Sequence, residues 1–162
     1  MTPQTAAAVA AGTVAVGGSG VGAAYFAGAF PSSMENKTEQ VETYKSQAEK
    51  QLTGKEYIGG TKGGIKKFLE GSTKDTTYQG KLEEVWEKMN NTGLGTTASP
   101  VTRPDKGDVK TAGKEDGVAD YASKWCEYTS KLPLRTVPSG TEANKDTWDA
   151  FKDACFNTKT SN

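Results

Sequence analysis

Histidine is missing from all 162 residues. That removes the commonest general base near neutral pH, the commonest zinc ligand, and every Ser-His or Cys-His relay. Arginine is nearly missing too. Arg103 and Arg135 are the two in the chain, so the bidentate forks that suit phosphate recognition are scarce. No charge of either sign precedes Glu35, and downstream the 20 basic and 20 acidic side chains cancel. A balance of zero gives no electrostatic case for a nucleic-acid partner or an anionic membrane surface. Cysteine occurs twice, at Cys126 and Cys155, and two thiols without histidine cannot complete a zinc site. Large apolar residues are sparse after residue 31, so the core available to the charged part of the chain is thin. No cofactor and no metal is expected, and no residue stands out as catalytic.

What the sequence does contain is one uncharged stretch, Ala6 to Phe30. It exceeds the roughly 20 residues that a helix needs to cross a hydrocarbon core. Ten alanines and six glycines make it weakly hydrophobic, with Val9, Val14, Val16, Val21, Tyr25, Phe26 and Phe30 as its larger groups. Gly18 and Gly22 have the small-xxx-small spacing that lets membrane helices pack closely. A membrane anchor through residues 6–30 is therefore expected, with the lipid bilayer as partner. Three readings compete. Ala27-Gly28-Ala29 offers a signal-peptide cleavage site, but no Lys or Arg precedes the run. Gly18-Ser19-Gly20-Val21-Gly22-Ala23 imitates a dinucleotide loop, but it lies inside a continuous apolar run rather than after a strand. A Gly/Ala tail is the third.

After Pro31, Ser32-x-x-Glu35 fits a capping box, and Met34, Val41, Tyr44, Ala48 and Leu52 form an apolar stripe at helical spacing up to Gly54. The glycine-dense Tyr57–Gly64 reads as a flexible connector. Gly59 and Gly64 have P-loop spacing, but Ile65 stands where the phosphate-binding lysine belongs. Tyr78, Leu82, Val85, Trp86 and Met89 share one face of a second helix that Asp75, Thr76 or Thr77 can cap. Glu83, Glu84 and Glu87 lie on its wet face, where acidic residues are the default rather than an acid/base pair. From Gly93 to Gly117, Pro100, Pro104 and five glycines break any period, so this stretch reads as a linker. Val118, Tyr121, Ala122, Trp125, Cys126, Thr129 and Leu132 then define a helix capped by Asp116 and ended by Pro133. Thr141 can cap a last helix carrying Trp148, Phe151 and Cys155. The two make an αα-hairpin. The expected organisation is thus residues 1–31 as anchor or signal segment, 32–92 as a helical region, 93–117 as linker, 118–157 as C-terminal helical hairpin and 158–162 as tail. The fold class is mostly α, a single transmembrane or signal-anchor helix followed by a loop-rich helical body.

Two states of the cysteines stay open. Both lie on apolar faces, as buried free thiols would. An oxidising compartment would favour a bridge, which would constrain the unfolded chain by roughly 3–4 kcal/mol. Register opposes it. In a symmetric hairpin the two positions would be offset by roughly 12 Å along the helices, against a limit of about 7 Å between bridged Cα atoms. The bridge requires the last helix to slide, to cross steeply, or to end before Cys155.

The opening Met-Thr-Pro-Gln-Thr-Ala-Ala-Ala-Val-Ala-Ala-Gly-Thr, together with Lys124-Trp125-Cys126-Glu127 and the Trp148…Cys155-Phe156 pattern, resembles an uncharacterised family of small paralogous proteins in haemotropic mycoplasmas, wall-less bacteria that attach to red blood cells. The resemblance covers the N-terminal segment and about the last forty residues. It implies a surface-exposed or secreted protein with an antigenic or host-contact role and an unidentified host-surface partner, and it supplies no catalytic residues. Lys37, Lys45 and Lys50 follow the apolar run, and counting them favours a cytoplasmic body. They are interleaved with Glu35, Glu39, Glu42 and Glu49, and long domains translocate regardless, so an outward-facing body is the expectation. The alternatives are a secreted form, a cytoplasm-facing scaffold, and an Asp/Glu-dependent hydrolase.

Overall fold

The structure, a computed structural model, describes residues 41–96 and 99–159. The expected anchor, Gly18 and Gly22 within it, and the Ser32–Glu35 capping box lie outside the described residues. Among the described residues the chain is mostly helical, and no helix there is long and apolar enough to cross a membrane.

Helix α1, Tyr44–Gln51, is shorter than the apolar stripe suggests. Thr43 caps it in a reciprocal box with Ser46, so the helix begins three residues beyond Val41. Residues 42 and 43 are extended instead because this part of the chain pairs with residues 132–134: the Leu134 amide donates to the Glu42 carbonyl at 2.7 Å and the Tyr44 amide to the Leu132 carbonyl at 3.1 Å. Val41 is consequently 48% exposed, while Tyr44 and Ala48 are buried.

Strand β1, Lys55–Tyr57, pairs antiparallel with β4, Phe156–Thr158, in the register Glu56 to Asn157. The end of the expected hairpin and the first residue of the expected tail therefore form an ordered strand. It has too few apolar residues to announce itself, and its partner lies about a hundred residues earlier. Thr61 caps the short α2, Lys62–Lys66, which follows the Gly-rich stretch. That stretch is no free connector: the amides of Ile58 and Gly59 both donate to the Cys155 carbonyl, at 2.9 and 3.3 Å.

Helix α3, Thr76–Val85, is capped by Asp75, whose carboxylate accepts from the amides of Thr77 and Tyr78. It tightens into a 3-10 turn at Trp86–Lys88. Tyr78, Leu82, Val85, Trp86 and Met89 are all buried, as their spacing dictates.

The stretch 93–117 is not a linker. Strands β2, Gly95–Thr96, and β3, Ser99–Pro100, pair antiparallel, and a 3-10 helix at Lys106–Lys110 buries Val109 and packs on α3 and on the helix that follows, α4, Glu115–Ser130. Two polar links hold it. Trp86 donates its indole N–H to the Pro104 carbonyl at 2.8 Å. Arg103 donates to the carbonyls of Trp86, Glu87 and Met89 at 3.1–3.2 Å and pairs with the Glu87 carboxylate at 2.6 Å. A single guanidinium thereby ties together three carbonyls of the turn that follows α3. Replacing Arg103 with Ala is expected to cost about 2 kcal/mol, and lysine should recover little, because one ammonium cannot span three divergent carbonyls. Urea denaturation of both variants measures it; recovery by lysine would reduce the link to a surface ion pair.

Helix α4, Glu115–Ser130, packs chiefly on α2, and α5, Lys145–Ala154, packs chiefly on α3. The expected C-terminal hairpin is therefore corrected: each of its helices takes its main partner from the N-terminal half. Asp116 is not the cap of α4 but stands in its first turn, pairing with Lys62 and Lys66 of α2. The core is aromatic, with the Phe151 ring within 6.4 Å, centroid to centroid, of Tyr44, Tyr57, Trp125 and Phe156.

Candidate functional site

Cys126 and Cys155 are joined in a disulfide with their Cα atoms 5.6 Å apart. The register conflict disappears because α5 runs from Lys145 rather than Thr141 and ends at Ala154, leaving Cys155 to turn the chain into β4. Both cysteines are fully buried. Gly59 lies directly against them: a Cβ there would stand 2.3 Å from the Cβ of Cys126 and 2.9 Å from its sulfur. The bridge thus ties α4, the end of α5 and the turn before α2 at one point. That junction gives it a holding role.

The carboxylates on the wet face of α3 are not brought together for acid/base chemistry. Glu83 ion-pairs with Lys110, which holds its carboxyl below the usual range, and Glu87 pairs with Arg103. Among the described residues, no group of three or more metal-binding side chains converges.

Burial raises the phenols of Tyr44, Tyr57, Tyr78 and Tyr121, and the last two are shifted furthest. Burial pushes Tyr121 up to about 12, against a smaller opposing pull from Arg103, and its hydroxyl reaches the Met89 carbonyl and, at 2.9 Å, the Asn91 side chain. Tyr78 is fully buried, is raised further by desolvation, and donates to the Ala154 carbonyl at 2.7 Å. Both hydroxyls are engaged with backbone carbonyls. Their linkage has a definite sign. A phenol whose folded pKa lies above its unfolded value of about 10 contributes stability that is complete below pH 10 and lost as pH rises toward 12. The stability gap between the wild type and Tyr121→Phe should therefore narrow between pH 10 and 12, read by urea midpoints across that range. A gap constant with pH would contradict the placement of this hydroxyl.

A surface depression of about 520 Å³ opens between the β2–β3 hairpin and α4. Leu94 and Val101 form its apolar floor and Tyr128 one wall, while Lys124, Glu127 and Lys131 rim it. On the other side of Tyr128 lies a second hollow of about 240 Å³, where Tyr44, Trp125 and Leu132 meet Asn90, Thr92 and Thr147. Tyr128 is 37% exposed, and with Val41 it makes up the exposed large hydrophobics among the described residues. Its ring is held by Gly93: a Cβ at that position would stand 2.2 Å from the ring and its hydroxyl, and the glycine adopts a φ of +79° that other residues rarely take. The sequence gives no direct sign of this site. Tyr128 falls off the buried stripe of α4, and Gly93 reads there simply as a helix stop. An exposed aromatic one position from Thr129 is the signal that could have marked it. The arrangement can bind, but it presents no nucleophile with a base beside it. Compared with protein-family models, with curated proteins and with solved structures, the chain matches none.

Proposed function

We propose that the protein is a non-enzymatic, surface-displayed contact module, held at the membrane by residues 6–30 with its folded body facing outward. The observation that carries this reading is the buried Cys126–Cys155 bridge. Disulfides persist in oxidising compartments and are rare in the reducing cytosol. They matter most to small domains. The resemblance to the small surface proteins of haemotropic mycoplasmas points the same way and supports an antigenic or host-contact role. Of the carboxylates on α4 and α5 that an Asp/Glu hydrolase would recruit, Asp116, Asp120, Glu127, Asp146 and Asp149 are engaged in ion pairs with lysines. A cytoplasm-facing scaffold is the second reading, favoured by Lys37, Lys45 and Lys50 after the apolar run.

Antibodies raised to residues 118–156 distinguish the two. Labelling of unpermeabilised cells that express the full chain, with both cysteines refractory to alkylation after lysis, is the expected result. Labelling that requires permeabilisation would turn the body inward and favour the scaffold.

A further inference from the structure

The groove beside α4 has a charge pattern that narrows what can occupy it. Each of its rim lysines is paired one turn away on the same helix: Lys124 with Asp120 at 2.7 Å and Lys131 with Glu127 at 2.8 Å. The four charges sum to zero, so an anionic ligand meets no net attraction there. An apolar ligand would strip water from these ions without replacing their hydrogen bonds. A ligand with one apolar face and a ring of hydroxyls satisfies both demands. The aromatic wall suits it, because Tyr128 is exposed and already fixed against Gly93, so little side-chain freedom is lost on contact. Lys124, Glu127 and Lys131 place ammonium and carboxylate groups around that ring.

We infer that Tyr128 is the stacking platform of a site for a neutral saccharide, with one sugar ring lying against the tyrosine and its hydroxyls reaching the paired rim. The open form of the groove suits the end of a longer oligosaccharide rather than an enclosed small molecule. The site is read from the groove alone, so it stands or falls separately from the orientation of the body.

The test uses the full-length protein in lauryldimethylamine oxide micelles, which carry no sugar headgroup. It is applied to an array of immobilised neutral and sialylated oligosaccharides, and each retained glycan is then titrated in soluble form. Retention of neutral glycans is expected. Tyr128→Ala should weaken binding about tenfold, and Tyr128→Phe, which keeps the ring, should stay within about twofold. Because Tyr128 is partly exposed, its replacement should leave the disulfide and the far-ultraviolet spectrum unchanged, which checks that a loss is not unfolding. Three results would overturn the proposal: no neutral glycan retained, equal binding by Tyr128→Ala, or a salt-sensitive preference for sialylated glycans. An extended peptide binding this groove in preference to every glycan would do so as well.

Discussion

Removing the disulfide, through the paired substitutions Cys126→Ala and Cys155→Ala or by reduction, is expected to lower stability by about 3–4 kcal/mol. The bridge spans a separation of 29 positions, and releasing it frees the unfolded chain to explore arrangements that the closed loop forbids. The loss is a large fraction of the 5–15 kcal/mol that holds a typical domain together. Gly59 supplies a second, independent handle. In the oxidised protein, Gly59→Ala would force a methyl against Cys126 and Cys155, which the bridge prevents from separating. Overpacking of this kind costs about 1–3 kcal/mol. Once the bridge is cut, α4 and the end of α5 can part, and the same substitution should cost less. Urea denaturation of the four combinations measures this coupling. A loss below about 1 kcal/mol on reduction would mean that the bridge decorates a fold already complete without it.

Trp86→Ala should be at least as damaging, with an expected cost of about 3–5 kcal/mol. Trp86 is completely buried, its ring lies 5.2 Å from that of Tyr121, and its indole N–H holds the Pro104 carbonyl. Its removal leaves a cavity and an unpartnered carbonyl at once, and it undocks the 99–110 segment from α3. Trp86→Phe restores most of the volume but not the N–H, and should recover more than half of the loss. Hydrogen exchange at Val109 and Thr111 reports the local part: it should accelerate in Trp86→Ala more than exchange at Tyr78. Equal acceleration at the two sites would mean that the segment does not depend on this contact.

The sequence by itself determined the helices and their buried faces wherever a local period carried the information. Tyr78, Leu82, Val85, Trp86 and Met89 share a face because 3.6 residues make a turn, and Asp75 caps them because its carboxylate reaches two free amides. Tyr121, Ala122, Trp125 and Cys126 followed the same rule. It also determined what chemistry is scarce, since a chain with no histidine and two arginines cannot make up for them by folding. The tertiary structure alone decided the rest. Residues 99–117 lack a period, and they are ordered by Arg103 and by the indole of Trp86, two contacts that composition cannot reveal. The pairing of β1 with β4, and the halt of α5 at Ala154 that brings Cys155 to Cys126, depend on partners far apart in the chain. A short strand with one apolar residue acquires its structure from the edge it meets, so nothing within its own few residues could have announced it.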